Sequence, residues 1–215
     1  MPIICFEGAS AVGKSTISAF LRDNHNAYLI PEVNLLFERK AVESKFWYFE
    51  KQIERWQLAL SAMKHHEIVI LDGDPFQPIW YNWAYDYDFG ESFEGIMSFY
   101  QSALISKAMD FPHQYFILYA GDEELRRRKI NDALRRRKNF ERHLRFIKPQ
   151  IAYFNFINSL NNHFVEFIEN KEINASAERV INLIEDKNPG EFSSLNLFAS
   201  IKNWLSTHKS EEFIF

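Results

Sequence analysis

Five short apolar runs punctuate the chain: IICFE (3–7), AYLIP (27–31), EIVILD (67–72), QYFILYA (114–120) and HFVEFIE (163–169). Each has strand length and a composition rich in β-branched and aromatic residues. Between them lie longer segments with helical periodicity: Lys14 to Asn24, Ser44 to His65, about Glu91 to Met109, Asp122 to Leu134, Phe140 to Leu160 and Ala175 to Asp186. Strands alternating with helices predict an α/β fold of three layers, a parallel sheet covered on both faces. Right-handed crossovers restrict its topology further. The Pro-Gly of NPGEF (188–192) breaks the pattern. Beyond it Leu195, Phe198, Ile201 and Leu205, with Trp204, recur at helical spacing. They predict a helical extension over 188–215 docked on a domain of residues 1–187, a partner-binding helix being the alternative.

Composition changes this picture little. The 215 residues suit one domain with a substantial core, and 21 Phe give that core an aromatic character. A net charge of −4 argues against nucleic acid as a partner. A single cysteine, Cys5, cannot form an internal disulfide, which fits a reducing compartment. The start MPIICFEG has no leader-like pattern, and no apolar run is long enough to span a membrane. The expectation is a cytoplasmic protein.

The chemistry begins at GASAVGKST (8–16). Gly8, Gly13, Lys14 and Ser15 match G-x-x-x-x-G-K-[ST] between a strand and a helix, the context the motif requires. Glycines allow the backbone of Ser10, Ala11 and Val12 to curl its N–H groups around an anion, and the helix N-terminus adds its dipole. Lys14 is expected to reach the transferring phosphate and Ser15 to ligate Mg²⁺, with Thr16 capping or packing beside them.

Such a loop serves switches, motors and kinases alike, so the rest of the chain must decide. The strings D-x-x-G and N-K-x-D of a GTP switch do not occur. Asp72 closes an apolar strand beside the loop and is a candidate for holding Mg²⁺ or orienting an acceptor hydroxyl; Asp74 is a second. Glu32 follows Pro31 at another strand end, where a carboxylate could accept a hydroxyl proton, bind a sugar hydroxyl or simply support the following helix. From Gly121 to Lys148 eleven Lys or Arg face five acids, which suggests an Arg-rich lid over about 126–141, a solvated helix face or an RNA patch. The aromatic stretch with Trp80 and Trp83 reads as core or as a wall for a planar substrate. Gln52 and Arg55 share a helix from which they could reach an acceptor pocket.

On these residues the chain resembles the nucleoside and nucleotide kinases of the P-loop superfamily, in layout the deoxynucleoside and thymidylate kinases, over about residues 1 to 187. IPEV is similar to the Pro-Glu segment of deoxynucleoside kinases, which implies that Glu32 is the base for a sugar 5′-hydroxyl. FPHQYFILYAGDEELRRR resembles the strand and helix start that precede the lid in these kinases, which implies that Arg128 contacts ATP. RRRKNFE approximates the R-x-R lid pattern, pointing to Arg135, Arg137 and Glu141. The resemblance further implies a five-stranded sheet in the order 2-3-1-4-5. Asp72-Gly73-Asp74 stands where those families carry an acid-Arg-Ser triplet or an Asp-Arg pair. The expectation is an ATP- and Mg²⁺-dependent kinase of a nucleoside-like hydroxyl, and a homodimer is compatible with it. A monophosphate, an antibiotic or a sugar are alternative acceptors, and a regulatory nucleotide-binding module or an RNA-associated ATPase are readings of another class.

Overall fold

Alternate residues along the strands divide between two cores. In the computed structural model β1 (Ile3–Gly8) sends Ile3 and Cys5 to one face of a sheet and Ile4 and Phe6 to the other. The same division holds for Val69 and Leu71 against Ile68 and Ile70 in β3 (Ile68–Asp72). Tyr115 and Ile117 against Phe116 and Leu118 repeat it in β4 (Gln114–Tyr119). Burial on both faces explains why these strands read as continuous apolar runs. With β2 (Ala27–Ile30) and β5 (Val165–Glu169) they form an all-parallel sheet in the order β2-β3-β1-β4-β5. The structure describes residues 1–39, 44–87, 91–132, 140–184 and 193–213.

One face is covered by α1 (Lys14–Asn24) and α9 (Ile173–Leu183), whose Ile17, Leu21, Ala177 and Val180 complete a mainly aliphatic core. The opposite face carries α3 (Trp47–Ala62), α4 (Gln77–Ala84), α5 (Phe93–Ile105), α8 (Ile147–Leu160) and α10 (Ser194–Thr207) over a larger, aromatic core. Phe76 stacks on Phe111 at 4.1 Å between ring centroids, and Tyr100 lies 5.2 Å from Phe76. Short helices α2 (Val33–Leu36), α6 (Asp122–Asn131) and α7 (Phe140–Leu144) lie in the connections. Ser92 and Ser193 cap α5 and α10 by accepting from the amides of Gly95 and Asn196.

The helix expected over 140–160 is two helices, α7 and α8. Pro149 stands in the first turn of α8, where its missing N–H costs nothing, but its ring would collide with the carbonyl of Arg145 in a continuous helix. The α4 helix falls where the sequence suggested only an aromatic stretch. After α10 a 3₁₀ turn, Ser210–Phe213, lies against α8 and α4, and α10 itself lies against α5 and α8. Arg135 and Arg137, the centre of the expected lid, and the boundary at 187–188 lie outside the described residues. Among the described residues no helix is long and apolar enough to cross a membrane.

Candidate active site

The carboxyl ends of β1 and β2 and the start of α4 open into one cavity of about 1140 Å³, in the crevice where parallel α/β sheets bind ligands. Residues 8 to 16 line one end of it. Gly8 and Gly13 take positive φ (136° and 105°), and Ala11 joins them at 70°, a conformation that an alanine rarely adopts. A Cβ on Gly8 would stand 2.2 Å from the Leu118 carbonyl oxygen, and one on Gly13 2.4 Å from Asn170 Nδ2. Both glycines are therefore required by closeness as well as by φ. Gly13 caps α1 without a side-chain bond, and the first turn carries no acid. No acid of α1's own first turn therefore competes for the amides that a helix leaves orphaned at its start. Lys14 folds over the loop, its Nζ donating to the Gly8 carbonyl at 2.8 Å.

The loop is held from below and behind. Asn170, fully buried after β5, donates from Nδ2 to the Val12 carbonyl at 2.6 Å, while its Oδ1 accepts from Ser176 at 2.9 Å. Arg128 on α6 donates to the same Val12 carbonyl at 3.0 Å and to the Asn170 carbonyl at 2.6 Å. Beneath the loop Glu7 accepts from the amide of Gly8 at 3.0 Å, from that of Asp74 at 2.9 Å and from Gln150 Nε2 at 3.2 Å. Burial raises its pKa despite the lowering effect of Lys14 and of the two backbone bonds.

The other end of the cavity is lined by Trp47, Tyr48, Phe49, Trp80, Tyr81 and Phe146, with polar groups from Glu32, Gln77, Glu91 and His143 among them. Tyr48 donates to Gln77 Oε1 at 3.1 Å, and burial pushes its pKa up to about 12. Lys45 pairs with Glu91 at 3.0 Å. Glu32 is exposed at the start of α2 with no cap bond, and its Cγ lies 3.8 Å from where a Cβ on Gly73 would stand. The ends of β2 and β3 thus converge beside the phosphate loop.

Of the residues read from the sequence, Gly8 to Thr16, Glu32, Trp80 and Arg128 come together around this cavity. Gln52, Arg55, Asp72, Asp74 and Trp83 do not line it. Arg55, expected to reach an acceptor, is 1% exposed and donates to the carbonyls of Asp72 (2.8 Å) and Gly73 (3.3 Å) and to Gln52 Oε1. A buried guanidinium needs several acceptors, and the irregular turn after β3 supplies them. Asp74 accepts from the amide of Phe76 and from Tyr115, both at 2.9 Å, and burial pushes its pKa up to about 7. Asp72 is also buried, and its Oδ1 has no hydrogen-bond partner among the described residues. Trp83 turns to the C-terminal segment, its Nε1 donating to the His208 carbonyl at 2.8 Å.

Glu7, Asn170, Gln150, Tyr48 and His143 went unread in the sequence. Only Glu7 left a signal, as an acid closing an otherwise apolar strand directly before Gly8. The remainder come from segments distant in sequence, and only folding brings them to the loop.

A Mg²⁺ ion commonly combines one or two protein oxygens with phosphate oxygens and water. Ser15, in the cavity at the start of α1, offers a hard oxygen of that kind, and the unpartnered Asp72 Oδ1 offers another from a buried position that does not line the cavity. Arg126 and Lys129 both approach Glu141 of α7, and Arg127 and Arg128 pair with Glu124, so the run 126–129 is internally paired.

The sheet order and the phosphate loop between β1 and α1 define the P-loop fold in the form shared by nucleoside and nucleotide kinases. No family model and no curated protein sequence matches the chain. Among solved structures it is similar to deoxyadenosine kinase from M. mycoides with bound dATP, at 17% identity and a TM-score of 0.56 over 85% of this chain and 98% of that one. Thymidylate kinase from Candida albicans is similar at 14% identity and a TM-score of 0.54, over 85% and 90%. Thymidylate kinase from Ehrlichia chaffeensis follows at 20% and 0.50, over 86% and 98%.

Proposed function

We propose that the chain is an ATP- and Mg²⁺-dependent kinase that transfers the γ-phosphoryl group to a hydroxyl of a nucleoside-like acceptor. The observation that carries this reading is that the phosphate loop, the aromatic side chains of α3 and α4 and the Glu32 carboxylate line one and the same cavity. The similar structures of deoxyadenosine and thymidylate kinases support it. In this reading Lys14 and the loop amides hold the donor phosphates. Ser15 would ligate Mg²⁺ and Asp72 would hold it through water, and the ion would neutralise phosphate charge. The acceptor oxygen forms its bond to the γ-phosphorus as the bond to the bridging oxygen breaks and ADP leaves. Glu32 takes the hydroxyl proton. Arg135 and Arg137 are assigned the stabilisation of the spreading charge by resemblance alone.

A neutral nucleoside is favoured over a monophosphate. Arg55 is committed to the backbone of Asp72 and Gly73, Lys45 is paired with Glu91 and Arg39 lies over the Trp47 ring at 5.0 Å, so these three cations are engaged within the protein. Pairing of Arg126, Arg127 and Arg128 with Glu124 and Glu141 favours an intramolecular role for the basic segment over an RNA surface.

The test is ATP consumption against nucleosides, nucleoside monophosphates, sugars and aminoglycoside- or phenicol-type drugs. The expected result is turnover with a nucleoside, lost in Lys14→Ala and reduced about 10²–10⁴-fold in kcat in Glu32→Gln, with the KM for ATP little changed. Lys14-dependent hydrolysis by water alone across the panel would sink the proposal.

A further inference from the structure

The α4 helix has two sides with different partners. Gln77, Pro78, Trp80, Tyr81 and Asn82 line the cavity, whereas Trp83 is 3% exposed and faces the C-terminal segment. There its indole N–H meets the His208 carbonyl at 2.8 Å, and its ring lies 5.2 Å from Trp204 and 6.0 Å from Phe213. Trp204 is itself stacked on Phe156 of α8 at 5.0 Å and on His208 at 4.9 Å. Ser210 reaches the Ala84 carbonyl at the last turn of α4, at 3.4 Å. A helix of eight residues has little stability of its own, so its position is set by what it packs against. Besides the C-terminal segment α4 packs on α5 and α8, and at its far end the chain turns through Asp86 and Tyr87, both at positive φ.

We infer that the C-terminal segment from Ser194 to Phe213 is a brace that sets the acceptor wall, and that Trp83 is the positioning residue through which it acts on Trp80 and Tyr81. The inference rests on the kinase reading for its consequence in catalysis, but not for its physical content. None of residues 193–213 lines the cavity, and the main packing partners of α10 and the 3₁₀ turn are α4, α5 and α8. Loosening the brace therefore disturbs the acceptor end and spares the phosphate loop.

The experiment uses the full chain with Trp83→Phe, which keeps an aromatic ring and removes the N–H, and with Phe213→Ala at the half-buried end of the segment. Amide hydrogen exchange is followed with MgADP present, and KM is measured for ATP and for a purine and a pyrimidine deoxynucleoside as probe acceptors. Exchange across Ile79–Tyr85 is expected to quicken about tenfold, the scale of one lost hydrogen bond, while β1 and α1 exchange as before. The acceptor KM should rise at least about fivefold with the ATP KM and MgADP affinity within about twofold. Unchanged α4 exchange in both variants would overturn the brace. So would equal acceleration in β1 and β3, which would make the segment a global staple. If the wild-type chain turns over neither nucleoside, the kinase reading fails by itself, and exchange with MgADP still decides the brace.

Discussion

Glu7 and Asp74 meet beneath the phosphate loop, joined by the Asp74 amide that donates to Glu7 Oε2. Burial raises both pKa values, Asp74 to about 7. The folded state therefore keeps protons that the unfolded chain has already released. Between about pH 4, the ordinary carboxylate range, and pH 7 the stability conferred by Asp74 falls as pH rises, and Glu7 acts in the same direction. In Asp74→Asn the amide oxygen can still accept from Phe76 and Tyr115, but one titrating group is gone. Urea unfolding at pH 5 and pH 7 should show a shallower fall in stability for this variant, by up to about 1.4 kcal/mol per pH unit. Parallel slopes in the two proteins would place the Asp74 proton elsewhere. This pair also marks the limit of reading at the residue scale. Asp74 was legible as a strand-end acid and was expected to face a substrate, yet Tyr115 and the Phe76 amide hold it inward. Nothing in a linear sequence distinguishes a carboxylate that faces a crevice from one that closes its floor.

At the scale of elements, α6 shows how a helix at the cavity's edge holds the phosphate loop from behind. Its Arg128 lies across Val12 and Asn170 and is anchored to Glu124 at 2.6 Å. Arg128→Ala removes a charged donor from the Val12 and Asn170 carbonyls, at a cost of about 1.5–3 kcal/mol. The KM for ATP is expected to rise about tenfold, more than kcat falls. Arg127 instead pairs with Glu124 at the surface, and Arg127→Ala should leave stability close to that of the parent. Equal destabilisation in the two variants, measured by denaturant unfolding, would count against a specific role for Arg128. Strands were the elements most legible in the sequence, because burial on both faces turns β1, β3 and β4 into unbroken apolar runs. The α4 helix was not legible: with the cavity on one side and the C-terminal segment on the other, its aromatics leave no polar stripe to reveal a helical period. Pro149 was visible, and its clash with residue 145 is the clue that divides α7 from α8.

Across the whole molecule the sheet separates two tasks. Its aliphatic side, under α1 and α9, carries the phosphate loop; its aromatic side, under α3, α4, α5, α8 and α10, carries the proposed acceptor wall. The sheet order was expected from a family resemblance and not from periodicity, since strand patterns alone do not specify neighbours. A ligand confined to the donor end should still stabilise the whole domain if the sheet unfolds as one unit. Under the kinase reading, MgADP at about 100 times its Kd should add about 2.7 kcal/mol. For a chain of this size that corresponds to a rise in Tm of roughly 5–10 °C. Lys14→Ala removes the ammonium that folds over the loop, while leaving both cores untouched. Its own Tm should therefore stay near that of the parent, and the MgADP increment at the same concentration should largely vanish. Calorimetric scans of the two proteins with and without MgADP make the comparison. An undiminished increment in Lys14→Ala would mean that the nucleotide binds somewhere other than the loop between β1 and α1.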